Sequence, residues 1–388
     1  MTKLIGNQAN QVSTNGDLGS MAFEDANNYV NKKSFIYQPY RNIIINGDMS
    51  IAQRGTSQAS ISSTGYYTVD RWNFVNSNLG TFTMSQDTDV PTGQGFVKSL
   101  KVDCTTADAS PSSADYLFLQ TKFEGQMLQY LKKGTANAES VTLSFWVKSV
   151  KTGTYIVQIE DVDNSSRFIS KSYTIDSAST WEKKTITFAG DTTGSLGNDN
   201  TSSLELNFWL GAGTDRTSGT LQTSWGSYTA SNVAVGQVNF ADSTSNDFWI
   251  TGVQLEAGTT ASDFEFLPYD VNLRRCLRYC WRPLYEYSPV KYIHSQGGYK
   301  DANYVAFHVV PPVPMRAAPS VTEIGNVDVW TQNGDYTGWT WGFIMGIHSG
   351  SEWYVSGNKV SHGIADANMP YAVIKTQADG WLQYNAEL

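Results

Sequence analysis

From Arg41 to Asp270 hydrophobic and polar residues alternate in short bursts separated by turn residues. In "VTLSFWVKSV", Val141, Leu143, Phe145 and Val147 alternate with Thr142, Ser144, Trp146 and Lys148, the two-residue period of a strand with one buried face. "YYTVDRWNFVN", "GFVKSLKVDCTT", "DYLFLQTKFE", "GTYIVQIEDVD", "RFISKSYTID", "TWEKKTITFAG", "SSLELNFWLGAG" and "DFWITGVQLEAG" repeat such bursts. "NIIINGDMSIAQRG" adds a β-branched run that ends in a turn signal, Asn46-Gly47-Asp48. Roughly ten strands at short spacing, with almost no helical periodicity, predict a two-sheet sandwich or jelly roll.

Two stretches break the pattern. In "FEGQMLQYLKKG", Phe123, Met127, Leu128 and Leu131 share a helical face, and Gly134 follows as a C-cap. This predicts a helix over one end of the sandwich. In "DVNLRRCLRYCWRP", Leu273, Cys276, Leu277 and Cys280 fall at helical spacing, with Arg274, Arg275 and Arg278 on the other sides and Pro283 just beyond. A short connecting helix is expected there, its arginines solvated or paired with acidic groups of a neighbouring subunit. The segments after it return to strands and turns. The fold expected is therefore all-β: an extended arm over residues 1–40, a sandwich over 41–270, and over 271–388 the connecting helix and a smaller β domain. The arm is polar and too poor in apolar residues to form a core alone, so a partner would have to order it.

Composition narrows the function. Charged residues are only 16% of the chain, and its polar surface is built from Ser, Thr, Asn, Gln and Gly, which favours strands and loops over helices. The net charge of -9 arises wholly within residues 41–270, where 24 acidic residues face 15 basic ones. No basic run exceeds two residues, so nucleic acid is not an expected partner. There is no signal-like leader and no apolar run of membrane-spanning length, so neither secretion nor membrane insertion is expected. Three cysteines, Cys104, Cys276 and Cys280, leave at least one unpaired and suit a reducing cytosol. The histidines, His294, His308, His348 and His362, show no HExxH and no close pairing, so no metal is expected.

Several stretches resemble virion fibre and related structural proteins of tailed bacteriophages, especially those with a carbohydrate-binding-module-like jelly roll. "NQVSTNGDLGSMAF" is similar to their leader, and "NIIINGDMSIAQRG" with "YYTVDRWNF" to the entry of the jelly roll. "LSFWVKSVKTGTYIVQI", "TWEKKTITFAGDTTGS", "NFWLGAGT" and "FWITGVQLEAGTTASDFEFLPYDVNLRRCLRYCWRP" are similar to its later strands and exit, and "PPVPMRAAPSVT" to a strand common in fibre ends. The resemblance implies a structural virion protein, homotrimeric, assembled in the host cytoplasm and bound to other virion proteins. The expected place is a tail fibre; a head fibre, capsid decoration or tail adaptor protein without a receptor role stays open. Where the related modules often carry a calcium-holding Asp pair in the last strand, this chain reads Ile250-Thr251-Gly252-Val253. No calcium site is expected, and sugar binding is not carried over to the jelly roll.

Candidate sites follow. In the arm, Leu18, Met21 and Phe23 are the virion-docking candidates. Residues 271–388 hold 6 of the 12 Trp and 10 of the 21 Tyr. Trp330, Tyr336, Trp339, Trp341, Trp353 and Tyr354 lie close in sequence and are candidates for contact with a host-surface glycan or protein, because indole and phenol rings offer a flat apolar face with a polar edge. A second use, as the core or threefold seam of a trimeric β domain, suits the same rings. Catalysis is not expected. There is no G-x-S-x-G and no Walker loop, "GAGTDR" lacks the last glycine of a dinucleotide fingerprint, and no coil repeat suggests a β-helix depolymerase. No cofactor is implied.

Overall fold

Two antiparallel sheets account for residues 57–257. One has the order β1 (Ser57–Ile61), β3 (Thr81–Asp87), β4 (Ser99–Thr106), β11 (Asp247–Ala257), β6 (Val141–Ser149), β9 (Glu182–Phe188). The other has the order β2 (Asn73–Ser77), β5 (Tyr116–Glu124), β10 (Ser202–Ala212), β7 (Gly153–Asp161), β8 (Arg167–Ile175). The chain passes back and forth between the sheets, which is the weave of a jelly roll. This computed structural model describes residues 40–282, 291–301, 304–309, 311–324, 327–331, 334–336, 344–348, 352–358, 372–376 and 381–388. Side-chain surroundings are described for 40–282, 311–322 and 383–388.

The inward positions of each strand meet in one core that includes Trp72, Phe82, Phe145, Tyr155, Phe208 and Phe248. The all-β sandwich expected from the alternation is present, followed by a small helix and further antiparallel strands. On β6 the alternation understates burial. Thr142, Ser144 and Lys148, on its outward side, are also buried, because loops cross that face: Thr142 Oγ1 donates to the Gly258 carbonyl at 2.8 Å.

Three local expectations are corrected. Ile43, Ile44 and Ile45 are buried but form no strand. The turn expected at Asn46-Gly47-Asp48 is present: Asn46 has φ 61°, and its side chain exchanges bonds with the Ile51 main chain (2.9 and 3.0 Å) and donates to the Asp70 carbonyl (3.0 Å). The predicted 123–134 helix is two single 3₁₀ turns, Gly125–Met127 and Gln129–Leu131, ended by Lys132 in the left-handed region rather than by Gly134. The neighbouring loop takes the donors at its start, Gly125 N–H to Thr201 O at 3.3 Å and Gln126 N–H to Asp199 O at 2.9 Å. Leu128 and Leu131 still face the core, since a three-residue period keeps them on one side.

The third correction is at the connecting helix. Helix α1, the four residues Thr214–Thr217, lies in the long loop after β10, and helix α2 spans Tyr269–Leu277. Cys280 is outside α2, in the short strand β12 (Cys280–Trp281), so Cys276 and Cys280 do not share a helical face. Both are buried, and all three cysteines are free. Leu273, Cys276 and Tyr279 pack on Ile45 and Ile51, while Asn272 donates to Asp48 Oδ1 (3.0 Å) and Ser50 Oγ (2.9 Å). Arg278 pairs within its own chain: its guanidinium grips both oxygens of Glu124 at 2.7 Å.

Strand β12 pairs with β21 (Trp381–Asn385), which pairs with β15 (Ser320–Ile324). Between these lie β13 (Lys291–Asp301), β14 (Tyr304–Val309), β16 (Val327–Thr331), β17 (Gly334–Tyr336), β18 (Ile344–His348), β19 (Glu352–Asn358) and β20 (Ala372–Thr376). They form a sheet in the order β17-β16-β20-β13-β14-β19-β18. The chain thus leaves and re-enters the sandwich side by side, with Trp281 stacked on Tyr384 at 4.8 Å between centroids.

The return is locked by buried charge. Glu387 pairs with Arg71 and with Arg54 (3.1 Å), and Arg54 also approaches Asp70 at 3.7 Å; none of the four side chains is more than 4% exposed. The Arg71 guanidinium lies 3.5 Å from the Tyr279 ring centroid and donates to the Lys122 carbonyl at 2.6 Å. Arg316 completes the closure, bonding the carbonyls of Ala386 (2.7 Å), Glu387 (3.0 Å) and Asn200 (2.9 Å).

Two outcomes are expected. Glu387→Gln leaves two buried guanidiniums with one carboxylate and lowers stability by about 3–5 kcal/mol in urea unfolding. Burial opposes ionisation of Glu124, but the hydrogen bonds from Arg278, Tyr279 and Gln126 outweigh it and hold the carboxyl below its usual range. A depressed folded-state pKa contributes stability that is complete above the unfolded value of about 4.3 and is lost as pH falls through the folded one. The thermal midpoint should therefore fall more steeply below about pH 4 in the native chain than in Glu124→Gln.

Candidate functional site on the five-stranded face

The outward positions of four neighbouring strands repeat one triplet: apolar, amide, charged. Beside and on β2 it is Val75, Asn73, Arg71; on β5 Phe118, Gln120, Lys122; on β10 Trp209, Asn207, Glu205; on β7 Ile156, Gln158, Glu160. The register aligns the triplets, with Asn73 opposite Gln120, Gln120 opposite Asn207 and Asn207 opposite Gln158. The face thus carries three transverse rows.

The amides link into one chain. Asn73 Nδ2 donates to Gln120 Oε1 (3.1 Å), Gln120 Nε2 to Asn207 Oδ1 (3.0 Å), and Asn207 Nδ2 to Gln158 Oε1 (3.2 Å). Gln158 Oε1 also accepts from Trp209 Nε1 at 3.1 Å. The charged row is tied to it, since Gln120 Nε2 donates to Glu205 Oε2 (2.9 Å) and Gln158 Nε2 to Glu160 Oε2 (3.3 Å), while Lys122 pairs with Glu205 at 3.2 Å. Burial pushes the Glu160 carboxyl above its usual range and the Glu205 charge adds to this, against the Ser166 hydrogen bond and the charges of Arg216 and Lys122. One acceptor is left over: Asn73 Oδ1 is buried and has no partner.

Two walls flank the rows. The loop 213–238 lies over the apolar row, with Val233 and Ala234 packed against Val75, Phe118, Ile156 and Trp209. Its rim presents Tyr228, 42% exposed, whose hydroxyl accepts from Arg216 at 2.9 Å; the Arg216 guanidinium lies 4.4 Å from the Tyr116 centroid. On the opposite side are Tyr66, whose hydroxyl donates to the Leu388 carbonyl at 3.5 Å, and the Glu387 closure. Between them the half-open groups are Lys122, Glu205 and Glu160, above nearly buried amides.

The outer face of the six-stranded sheet is organised differently. Lys101, Trp249 and Lys148 are paired in register across three strands, and Trp181, just before β9, extends the row, with Lys148 Nζ 4.0 Å from the Trp249 ring and 5.6 Å from Trp181. Both indole N–H groups are taken, Trp249 by Asp87 (3.1 Å) and Trp181 by Asp89 (2.9 Å). That row satisfies itself, whereas the amide row retains an unmet acceptor.

Of the residues expected from sequence, Trp330 lies on β16, Tyr336 on β17, and Trp353 and Tyr354 on β19. β16 and β17 stand at one end of the seven-strand order and β19 next to the other end. Trp339, Trp341, Leu18, Met21 and Phe23 lie outside the described residues. The triplets were missed by the sequence reading, although the apolar-amide-charged alternation is visible within each strand; their alignment depends on non-local pairing. Among the described residues no group of three or more His, Cys, Asp and Glu is placed to hold a metal, and no helix is long and apolar enough to cross a membrane.

No protein-family model and no curated protein matches the chain. Among solved structures it is similar to the enzymatically active domain of tailspike protein 4 from bacteriophage CBA120, at 15% identity and a TM-score of 0.30, over 57% of this chain and 22% of that one. A family 22 carbohydrate-binding module of Clostridium thermocellum Xyn10B shows 10% identity and a TM-score of 0.28, over 55% and 100%. The N-terminal cellulose-binding domain of Cellulomonas fimi β-1,4-glucanase C shows 14% and 0.26, over 48% and 90%. Likenesses at these values do not bear on function, which has to be argued from the side chains.

Removing an amide from the middle of the row should cost more than removing one from its end. Asn207→Ala leaves partners on both sides unpaired and lowers stability by about 2–3 kcal/mol, while Asn73→Ala costs about 1 kcal/mol or less. Chemical denaturation of the two variants checks the order.

Proposed function

We propose that this chain is a non-catalytic structural fibre protein of a tailed-bacteriophage virion, of the tail rather than the head. It works as a homotrimer. Residues 1–40 attach it to other virion proteins, the sandwich forms its body, and the five-stranded face and the strands beyond residue 282 meet the host surface. The observation that carries the binding role is the amide row with its unpartnered Asn73 Oδ1, set between an aromatic wall and a charged row. A hydroxyl-rich ligand both donates and accepts, so it can pair with the partly exposed Lys122, Glu205 and Glu160 and, if the surface opens to admit one hydroxyl, supply the donor that Asn73 Oδ1 lacks. Glu160 and Glu205 at the rim disfavour anionic polymers, which places neutral glycans ahead of acidic ones. The adjoining exit and return strands suit an outlying sheet carried on a closed base.

Light scattering should give about three times the 42.8 kDa of one chain. A chain lacking residues 1–40 should keep that trimer and lose attachment to the particle; a truncated protein that still attaches would refute the arm's role. In affinity electrophoresis neutral polysaccharides should retard the protein more than acidic ones, and Asn73→Ala should weaken the retardation about three- to tenfold. A trimer that incorporates into particles but binds no glycan would leave a head-fibre, decoration or adaptor role.

A further inference from the structure

Lys133 follows the second 3₁₀ turn and reaches inward until its side chain is 5% exposed. Its ammonium pairs with the Asp161 carboxylate, lies 3.0 Å from Asp191 Oδ2, and donates to the carbonyls of Thr193 (3.0 Å) and Gly194 (2.9 Å). Two carboxylates and two main-chain oxygens, one from the end of β7 and three from the loop after β9, thus converge on one cation. The cage is held independently of the lysine. Asp161 accepts from the main-chain N–H of Asp163 (3.1 Å) and Asn164 (3.2 Å) and from Asn164 Nδ2 (2.9 Å). Asp191 is gripped by Arg167 at 3.1 Å through both Nε and Nη2 and accepts from Thr193 N–H at 3.1 Å.

We infer that Lys133 is a tethered cation filling an oxygen cage of the kind that otherwise holds a calcium ion, so that this end of the sandwich is closed without metal. Hard oxygens, carboxylate and carbonyl together, are calcium's ligand set. The donor distances of 2.9 and 3.0 Å exceed calcium's by about 0.5 Å but magnesium's by about 0.9 Å. Modest loop movement therefore admits calcium, while magnesium also demands near-ideal octahedral geometry. Lys133 lines a small cleft beside Trp225 and Leu131. Shortening it opens a route from that cleft for the ion and for the waters that would complete its shell. The loops it joins also position Trp225, whose indole donates to Ala189 O at 2.7 Å. Trp225 belongs to the loop that walls the five-stranded face, so Lys133 supports that wall whatever the divalent ion concentration.

The test is thermal unfolding of the full chain and of Lys133→Ser and Lys133→Met, each in a chelator, in millimolar calcium and in millimolar magnesium. The native chain should unfold at one temperature in all three. Lys133→Ser should unfold lower in chelator and recover several degrees in calcium but not in magnesium, as expected for a weak site near saturation. Lys133→Met, which fills the space with a neutral chain, should be destabilised without recovery. If Lys133→Ser does not fold in chelator, refolding it from urea with calcium replaces the melt and should restore the native far-ultraviolet spectrum. The inference is overturned if calcium shifts Lys133→Ser no more than Lys133→Met, if magnesium serves equally well, or if the native chain itself gains stability from calcium.

Discussion

The structure depends on the neutralisation of charge in a place that water does not reach. The Arg54, Asp70 and Arg71 side chains are almost wholly buried, and guanidiniums there must be matched by carboxylates. Asp70 matches one. The other match comes from Glu387, more than three hundred residues away in sequence, so this end of the sandwich is complete only when the chain has returned from its excursion through the distal strands. The same requirement places β21 beside β12 and seats Tyr384 on Trp281.

That closure also shapes the candidate site. Arg71 is the charged member of the first outward triplet, and it is held by Glu387 and by the Lys122 carbonyl, so the row nearest the base is tied to the returning segment. The opposite wall is anchored by another set of buried charges: Lys133, Asp161, Asp191 and Arg167 fix the loops on which Trp225 rests. Both charged clusters lie at the charged-row end of the strands, one beside Arg71 and the other beside Glu160, and the amide row runs next to that end. A transverse amide row resists sliding because shifting one strand breaks bonds on both sides, which holds the one unmet acceptor in a defined place.

The two outer faces show how similar alternation leads to different surfaces. On the six-stranded sheet lysine and tryptophan alternate across the strands and carboxylates cap the indoles, so that face is closed upon itself. On the five-stranded sheet amides alternate donor and acceptor along a line, and a line has ends. Asn73 stands at the end on the edge strand β2, where no further strand supplies a donor.

The sequence by itself determined the class of fold, because a two-residue period in strands such as β6 and β10 leaves an all-β sandwich as the arrangement that buries their inner positions. It also signalled a short helix after Asp270 and a return to strands beyond it, but the helix ends at Leu277, before Cys280 and well short of Pro283, because Cys280–Trp281 pairs as a strand with Tyr384–Asn385. The tertiary structure decided the rest. The Ile43–Ile45 run, which leads into the turn that Asn46-Gly47-Asp48 signals, was buried without joining a sheet, and the 123–134 segment became 3₁₀ turns because a distant loop took its first donors. Arg278 turned inward to Glu124 rather than outward to a neighbour. Each strand's apolar-amide-charged triplet is written in the sequence, but only the register among four strands, set by pairings up to about a hundred residues apart, joins the triplets into rows. Local periodicity reports which side of a strand is buried; which side chains meet across strands is a property of the pairing.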